Sequence, residues 1–139
     1  MNRALLLTHG NVFTLGARNE LITDGAVYMV GDTIVERFKE RDTPYLVIEK
    51  NPRRLQDEEH YVIGDAADIR TLQRAWIDKA PAALVTTHDD ATNIYLTKYL
   101  RSLRPDMQIL SRSNLDRNVS TLHRAGADFV MSYASLGAN

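Results

Sequence analysis

From Tyr45 to Val130 the chain alternates short apolar runs with amphipathic stretches, and no other feature restricts its fold as strongly. Within this span, Val62-Ile63-Gly64-Asp65-Ala66-Ala67-Asp68 reads as a short buried strand closed by glycine and acid, with a helix start straight after. In a parallel sheet that junction lies at the strand's carboxyl end, where such folds bind ligands. Five runs read as strands: Tyr45–Glu49, His60–Gly64, Ala82–Thr87, Gln108–Arg112 and Asp128–Ser132. They are nearly continuous rather than alternating, the pattern of strands covered on both faces by helices. Between them, Ile69, Leu72 and Trp76 share one helix face. Ala91, Ile94, Tyr95, Leu100 and Leu103 form a longer stripe, closed by Arg101, Arg104 and Pro105. Asp116 caps a further helix with Val119 and Leu122 inward, and Gly126 suits its left-handed end. The repeated strand–helix order predicts an α/β fold, a doubly wound parallel sheet in three αβα layers with right-handed crossovers.

The N-terminal part carries a weaker signal. Residues 1–25 read as a linker with a short helix around Phe13–Leu21, and residues 26–139 as the folded domain. Ala26–Val30 makes a strand, Gly31-Asp32-Thr33 a tight turn, and Ile34, Val35 and Phe38 the inward face of a helix broken by Asp42-Thr43-Pro44. An alternative takes Leu5-Leu6-Leu7 as first strand and Gly10-Asn11-Val12 as its glycine turn, which leaves a surplus strand before Tyr45.

Composition removes several function classes. A chain of 139 residues is one domain with a proper core. Its formal net charge of −1 gives no basic field for nucleic acid or an anionic membrane. There is no cysteine, hence no disulfide and no thiolate metal site, and the histidines show no metal-ligand spacing. No apolar run approaches the ~20 residues that span a bilayer.

Four blocks, YLVIEKNP, YVIGDAADIRTLQRA, ALVTTHDDATNIYLTKYLRSLRPDMQILSRSN and LHRAGADFVMSY, occur in order from about Tyr45 to Tyr133. Together they resemble the N-terminal lobe of RCK domains, the regulators of conductance of potassium, and the nucleotide-binding subunits of Trk- and Ktr-type potassium uptake systems. The resemblance implies a Rossmann-like domain on the inner face of the cell membrane. It would act as a cytoplasmic regulatory module that pairs with other copies, as a dimer or larger ring. A membrane pore or transporter subunit would come from a missing segment or a partner. It also implies a larger parent protein, since the family continues past Ser135-Leu136-Gly137-Ala138-Asn139 into a crossover helix and often a C-terminal lobe. The chain departs from the family at the G-x-G-x-x-G loop, where backbone amides approach a diphosphate. One register puts Ala26, Tyr28 and Gly31 at the glycine positions; the other leaves the shortened turn Gly31-Asp32-Thr33, with Asp32 bringing negative charge. In both, the diphosphate cradle is damaged. The expected ligand is therefore NAD(H) or an adenine mononucleotide held weakly, or none.

The candidate binding residues are Gly31, Asp32, Thr33, Glu49, Lys50, Asp65, Ala66, Thr86, Thr87, His88 and Arg112, and each has a plainer reading. Glu49 either accepts from ribose hydroxyls or is a solvated charge beside Lys50. Asp65 bonds adenine or caps the helix entry near Asp68. Thr86, Thr87 and His88 follow the central strand, where His88 borders a nucleotide or is an exposed imidazole. Arg112 offers a bidentate fork to phosphate or pairs with a neighbouring acid. Asp89 and Asp90 complement the dipole of the long helix rather than bind metal. Trp76 and the pair Tyr95 and Tyr99 read as packing or subunit contacts. A regulatory binding module, an empty scaffold of the same shape and a nicotinamide-dependent oxidoreductase all remain open at this level. The first is preferred, since no acid–base constellation marks the third.

Overall fold

The computed structural model describes residues 5–8, 13–15, 46–51, 61–80 and 82–132. The Ala26–Val30 strand, the Gly31-Asp32-Thr33 turn and the helix with Ile34, Val35 and Phe38 lie outside these residues. In chain order the elements are β1 (Leu5–Thr8), β2 (Phe13–Leu15), β3 (Leu46–Glu49), β4 (Tyr61–Ile63), α1 (Ile69–Arg74), β5 (Ala82–Thr86), α2 (Asp90–Leu103), β6 (Gln108–Ser113), α3 (Val119–Ala125) and β7 (Phe129–Ser132). A 3-10 turn, Asp116–Asn118, leads into α3.

One seven-stranded sheet has the order β4-β3-β1-β2-β5-β6-β7, and β1 also pairs with β5. The five strands expected from Tyr45 onward are all present within a residue or two, and all run parallel: β3 with β4, β5 with β6, β6 with β7, and β1 with both β3 and β5. The linker and helix expected over residues 1–25 do not hold for β1 and β2. Leu5-Leu6-Leu7-Thr8 is a continuous apolar run, the signature of an inner parallel strand, and it takes the place between β3 and β5. Phe13–Leu15, placed in the short helix by the sequence reading, is an extended strand antiparallel to β1 and β5; an aromatic beside threonine suits a strand better than a helix.

Alternation sorts the sheet into two faces. Leu46, Ile48, Ala83, Val85 and Ile109 join Leu72, Leu96 and Leu100 of the helices in one core. Val47, Leu84 and Leu110, on the opposite face, are equally buried. The described helices pack against the first of these faces; burial of both faces is the pattern of a three-layer arrangement.

Two details of the helices differ from the hydrophobic pattern. α1 stops at Arg74, and Trp76 sits beyond it with φ 64°. Its N–H donates to the Gln73 carbonyl while that of Ile77 donates to Leu72, a left-handed helix ending that carries Ile77 into the core in place of Trp76. Trp76 is 48% exposed, with the Lys79 ammonium 5.4 Å from its ring. On α2 the buried face is Asn93, Leu96, Thr97 and Leu100; of the expected stripe Leu100 lies on it and Leu103 packs against the core, while Ala91 and Tyr95 are turned outward. Thr97 is accommodated by a 2.5 Å hydroxyl–hydroxyl bond to Ser111. Asp116 does not cap α3; its carboxylate accepts from the Ser132 hydroxyl and ties the 3-10 turn to β7. Gly126 does end α3 with positive φ, 123°.

Candidate functional site

Parallel strands place their carboxyl ends at one edge of the sheet, and there β3, β4 and β5 open onto the start of α2. Gly64 makes the turn out of β4, its N–H donating to the Glu49 carbonyl at 2.9 Å. Asp65 then accepts from the Ala67 amide at 2.9 Å, and Asp68 caps α1 through the Arg70 amide at 2.9 Å. Asp65 is thus a turn former with one oxygen left toward Lys50, 3.8 Å away in a well-exposed pair. A cleft of about 310 Å3 lies between this turn and α2, at the small end of the ~300–1,000 Å3 typical of ligand sites.

Of the residues expected at a site, Lys50, Asp65, Ala66, Thr87 and His88 all line this cleft. Ala67, Thr92, Tyr95 and Leu96 line it too, and hydrophobic patterning alone assigned Tyr95 to packing. The spacing of Thr92, Tyr95, Leu96 and Tyr99 on one flank of a helix was the available signal. Glu49, Thr86 and Arg112 do not line it. By the strand register all three lie buried on the opposite face of the sheet at the same edge, Thr86 level with Arg112 on the next strand and Glu49 on the far side of β1. Glu49 accepts from the Asn51 amide at 3.0 Å. Arg112 donates from Nε to Asn114 Oδ1 at 2.9 Å. The Thr86 hydroxyl is buried with no hydrogen-bond partner among the described residues. Gly31, Asp32 and Thr33 lie outside the described residues.

Two side chains of α2 set the loops around this edge. Asn93 is fully buried and fully used: Oδ1 accepts from the Thr87 amide (3.1 Å) and hydroxyl (2.5 Å), while Nδ2 donates to the carbonyls of Thr87 and Arg112, both at 3.0 Å. It thereby joins the tips of β5 and β6. Asp90 reaches across to the loop after β6, accepting from the Asn114 amide (2.8 Å) and side chain (2.9 Å), the Leu115 amide (3.2 Å) and Asn118 Nδ2 (2.6 Å). Its partial burial pushes the carboxyl pKa up, but the bonds from Asn118, Asn114 and Leu115 outweigh this and leave it below the ordinary 3.8. Asp89 is the helix cap, accepting from the Thr92 amide and hydroxyl, and these bonds hold its pKa down. Two ionised carboxylates therefore occupy the positive end of α2, which leaves it unfavourable for a phosphate.

Because the Asp90 pKa is depressed in the folded state, its contribution is complete above the unfolded value near 3.8 and is lost as pH falls through the folded value. Asp90→Asn is expected to cost about 1–2 kcal/mol at pH 7, with wild type and variant converging in acid. Urea midpoints at several pH values check this; a constant gap down to pH 2 would contradict the charge-assisted bonds.

A larger groove of about 430 Å3 lies on the other flank of α2, against α3, lined by Ile94, Lys98, Thr121 and Arg124. It is far from the strand tips and collects none of the expected ligand residues.

Residues 29–133 match the TrkA-N domain family. The chain is 31% identical over 115 residues to probable potassium channel protein 2 of Methanocaldococcus jannaschii, covering 78% of this chain and 34% of that protein. It is 27% identical over 105 residues to potassium channel protein 1 of the same organism, covering 71% of this chain and 32% of that one. Among solved structures it is similar to GsuK bound to ADP, with 39% identity and a TM-score of 0.70 over 77% of this chain and 28% of that one. GsuK has also been solved bound to NAD. The TrkA-N domain of inner membrane protein ybaL from Escherichia coli is 25% identical with a TM-score of 0.74, covering 78% of this chain and 84% of that one. The chain thus spans about a third of the length of its curated channel relatives. The family match begins inside Ala26–Val30 and leaves out β1 and β2, whereas β3 through β7 and every residue of the cleft fall within it.

Proposed function

Given that this chain belongs to the TrkA-N domain family, we propose that it is the cytosolic regulatory lobe of a potassium channel or potassium transporter and that it takes an adenine nucleotide in the Lys50–Leu96 cleft. The observation that carries this is the meeting of the β4 turn, the β5 tip and the flank of α2 around one small cleft at the carboxyl edge of the sheet. The channel relatives and the nucleotide-bound GsuK structures support the same reading. Copies assemble as a dimer or larger ring, with the partly apolar outer face of α2, Ala91 and Ile94, and its groove against α3 as contact surface. No described helix is long and apolar enough to cross a membrane; the pore belongs to the rest of the parent protein or to a partner. Ligand acts by differential affinity: a nucleotide that favours one ring geometry shifts the pore equilibrium by that preference and no more. The module binds and does not catalyse.

Thermal unfolding with AMP, ADP, ATP, NAD and NADH tests the proposal. Saturation at a hundred times the Kd stabilises by about 2.7 kcal/mol, so a mononucleotide should raise the melting temperature clearly. NAD should do so less, since Ala26–Thr33 holds one glycine, Gly31, where a diphosphate cradle has three. No shift with any of the five would leave a ligand-free scaffold and refute nucleotide sensing.

A further inference from the structure

We propose that Tyr95 is the stacking platform for the base, so that α2 reads the aromatic half of the ligand and leaves its phosphates to other parts of the sheet edge. This rests on the nucleotide reading above and adds to it a residue and an orientation. Tyr95 is 56% exposed, an unusual cost for a large ring on a helix that buries two polar residues, Asn93 and Thr97, on its inner face. It is not a loose surface ring. Tyr99, one turn on, packs against the main core and stacks on Tyr95 at 6.2 Å with 22° between the planes. The ring is therefore held in a set orientation from behind while it forms part of the cleft wall. Ala66, Ala67 and Leu96 provide the apolar remainder of the lining. Between them a flat heteroaromatic ring has contact surfaces on both sides.

Charge fixes which end of a nucleotide belongs here. Asp65, Asp89 and the α2 start are all acidic, with Lys50 already facing Asp65 and the helix dipole answered by Asp89 and Asp90. A phosphate in the cleft would meet carboxylates, whereas an uncharged base and its ribose would not. The buried Arg112 guanidinium and the buried Thr86 hydroxyl lie on the other sheet face, outside the cleft, so the cleft itself is the base end.

Calorimetric titration of the 139-residue chain with ADP, AMP and ribose 5-phosphate tests this on wild type, Tyr95→Phe, Tyr95→Ala and Tyr95→Trp. Tyr95→Phe should bind all three as wild type does. Tyr95→Ala should lose about tenfold toward ADP and AMP, the size of one base–aromatic stack, with ribose 5-phosphate unchanged. Tyr95→Trp should bind ADP at least as well, with its indole emission quenched on binding. Unaltered ADP affinity in Tyr95→Ala, with wild type binding, overturns the platform and spares the nucleotide site. An equal loss of ribose 5-phosphate makes Tyr95 merely structural. No binding of ADP or AMP to wild type removes both proposals together.

Discussion

Gly64→Ala is expected to cost about 3 kcal/mol and to lower the melting temperature by about 10 °C. Gly64 has φ 156°, and a Cβ built there would stand 2.4 Å from Thr71 Oγ1 and 2.8 Å from Thr71 Cγ2. Neither neighbour can give way easily, because Thr71 is buried in α1 and its backbone closes the first turn on Asp68. Backbone strain of ~1–3 kcal/mol adds to overpacking of similar size. The damage should extend to the cleft, since the same turn aims Asp65 and Ala66, so any nucleotide response should fall with stability. A variant within 1 kcal/mol of wild type would mean that α1 can lift off the sheet, contrary to its packing through Leu72.

Asn93→Ala should cost about as much by a different route. It strips hydrogen bonds from the Thr87 amide and from the carbonyls of Thr87 and Arg112, all in a buried site, at ~1–3 kcal/mol for each group left unpaired. Asn93→Asp separates the bonds by type. Its shape is unchanged and it still accepts from Thr87, but it turns an acceptor toward two carbonyls. At pH 7 it should therefore be at least as damaging as alanine. Urea unfolding at constant m gives both values. An aspartate variant as stable as wild type would show that the Nδ2 donor contributes little.

How much of this was readable beforehand follows from what each residue needed. The strands from Tyr45 onward announced themselves because a strand covered on both faces must be apolar throughout, a property of the local sequence alone. Gly64 and Gly126 were legible for a similar reason, as breaks where the chain must turn. Asn93 and Asp90 were not. An asparagine at the centre of a buried helix face is tolerated only because β5 and β6 bring it four matching groups, and their proximity is a tertiary fact. Hydropathy therefore drew the first half of the α2 stripe through Ala91 and Tyr95 and missed Asn93, Leu96 and Thr97, although they share the helical spacing of the correctly placed Leu100. Trp76 misled by weight: a large ring at helical spacing outranked Ile77, while the left-handed turn after Ala75 decided otherwise. The cleft was half legible, because its strand-end members follow from topology and its α2 members depend on how that helix is rotated.

Asn93 and Asp90 also decide how stiff this edge of the molecule is. The two side chains, less than one turn apart, rivet the helix to the tips of two neighbouring strands and to the loop beyond them. A guest arriving beside Tyr95 meets a wall that cannot yield by parting those tips. Its push would be handed to the entire fourteen-residue rod, whose far flank is the contact surface proposed above, so that a small displacement at one end would arrive at the other as a tilt.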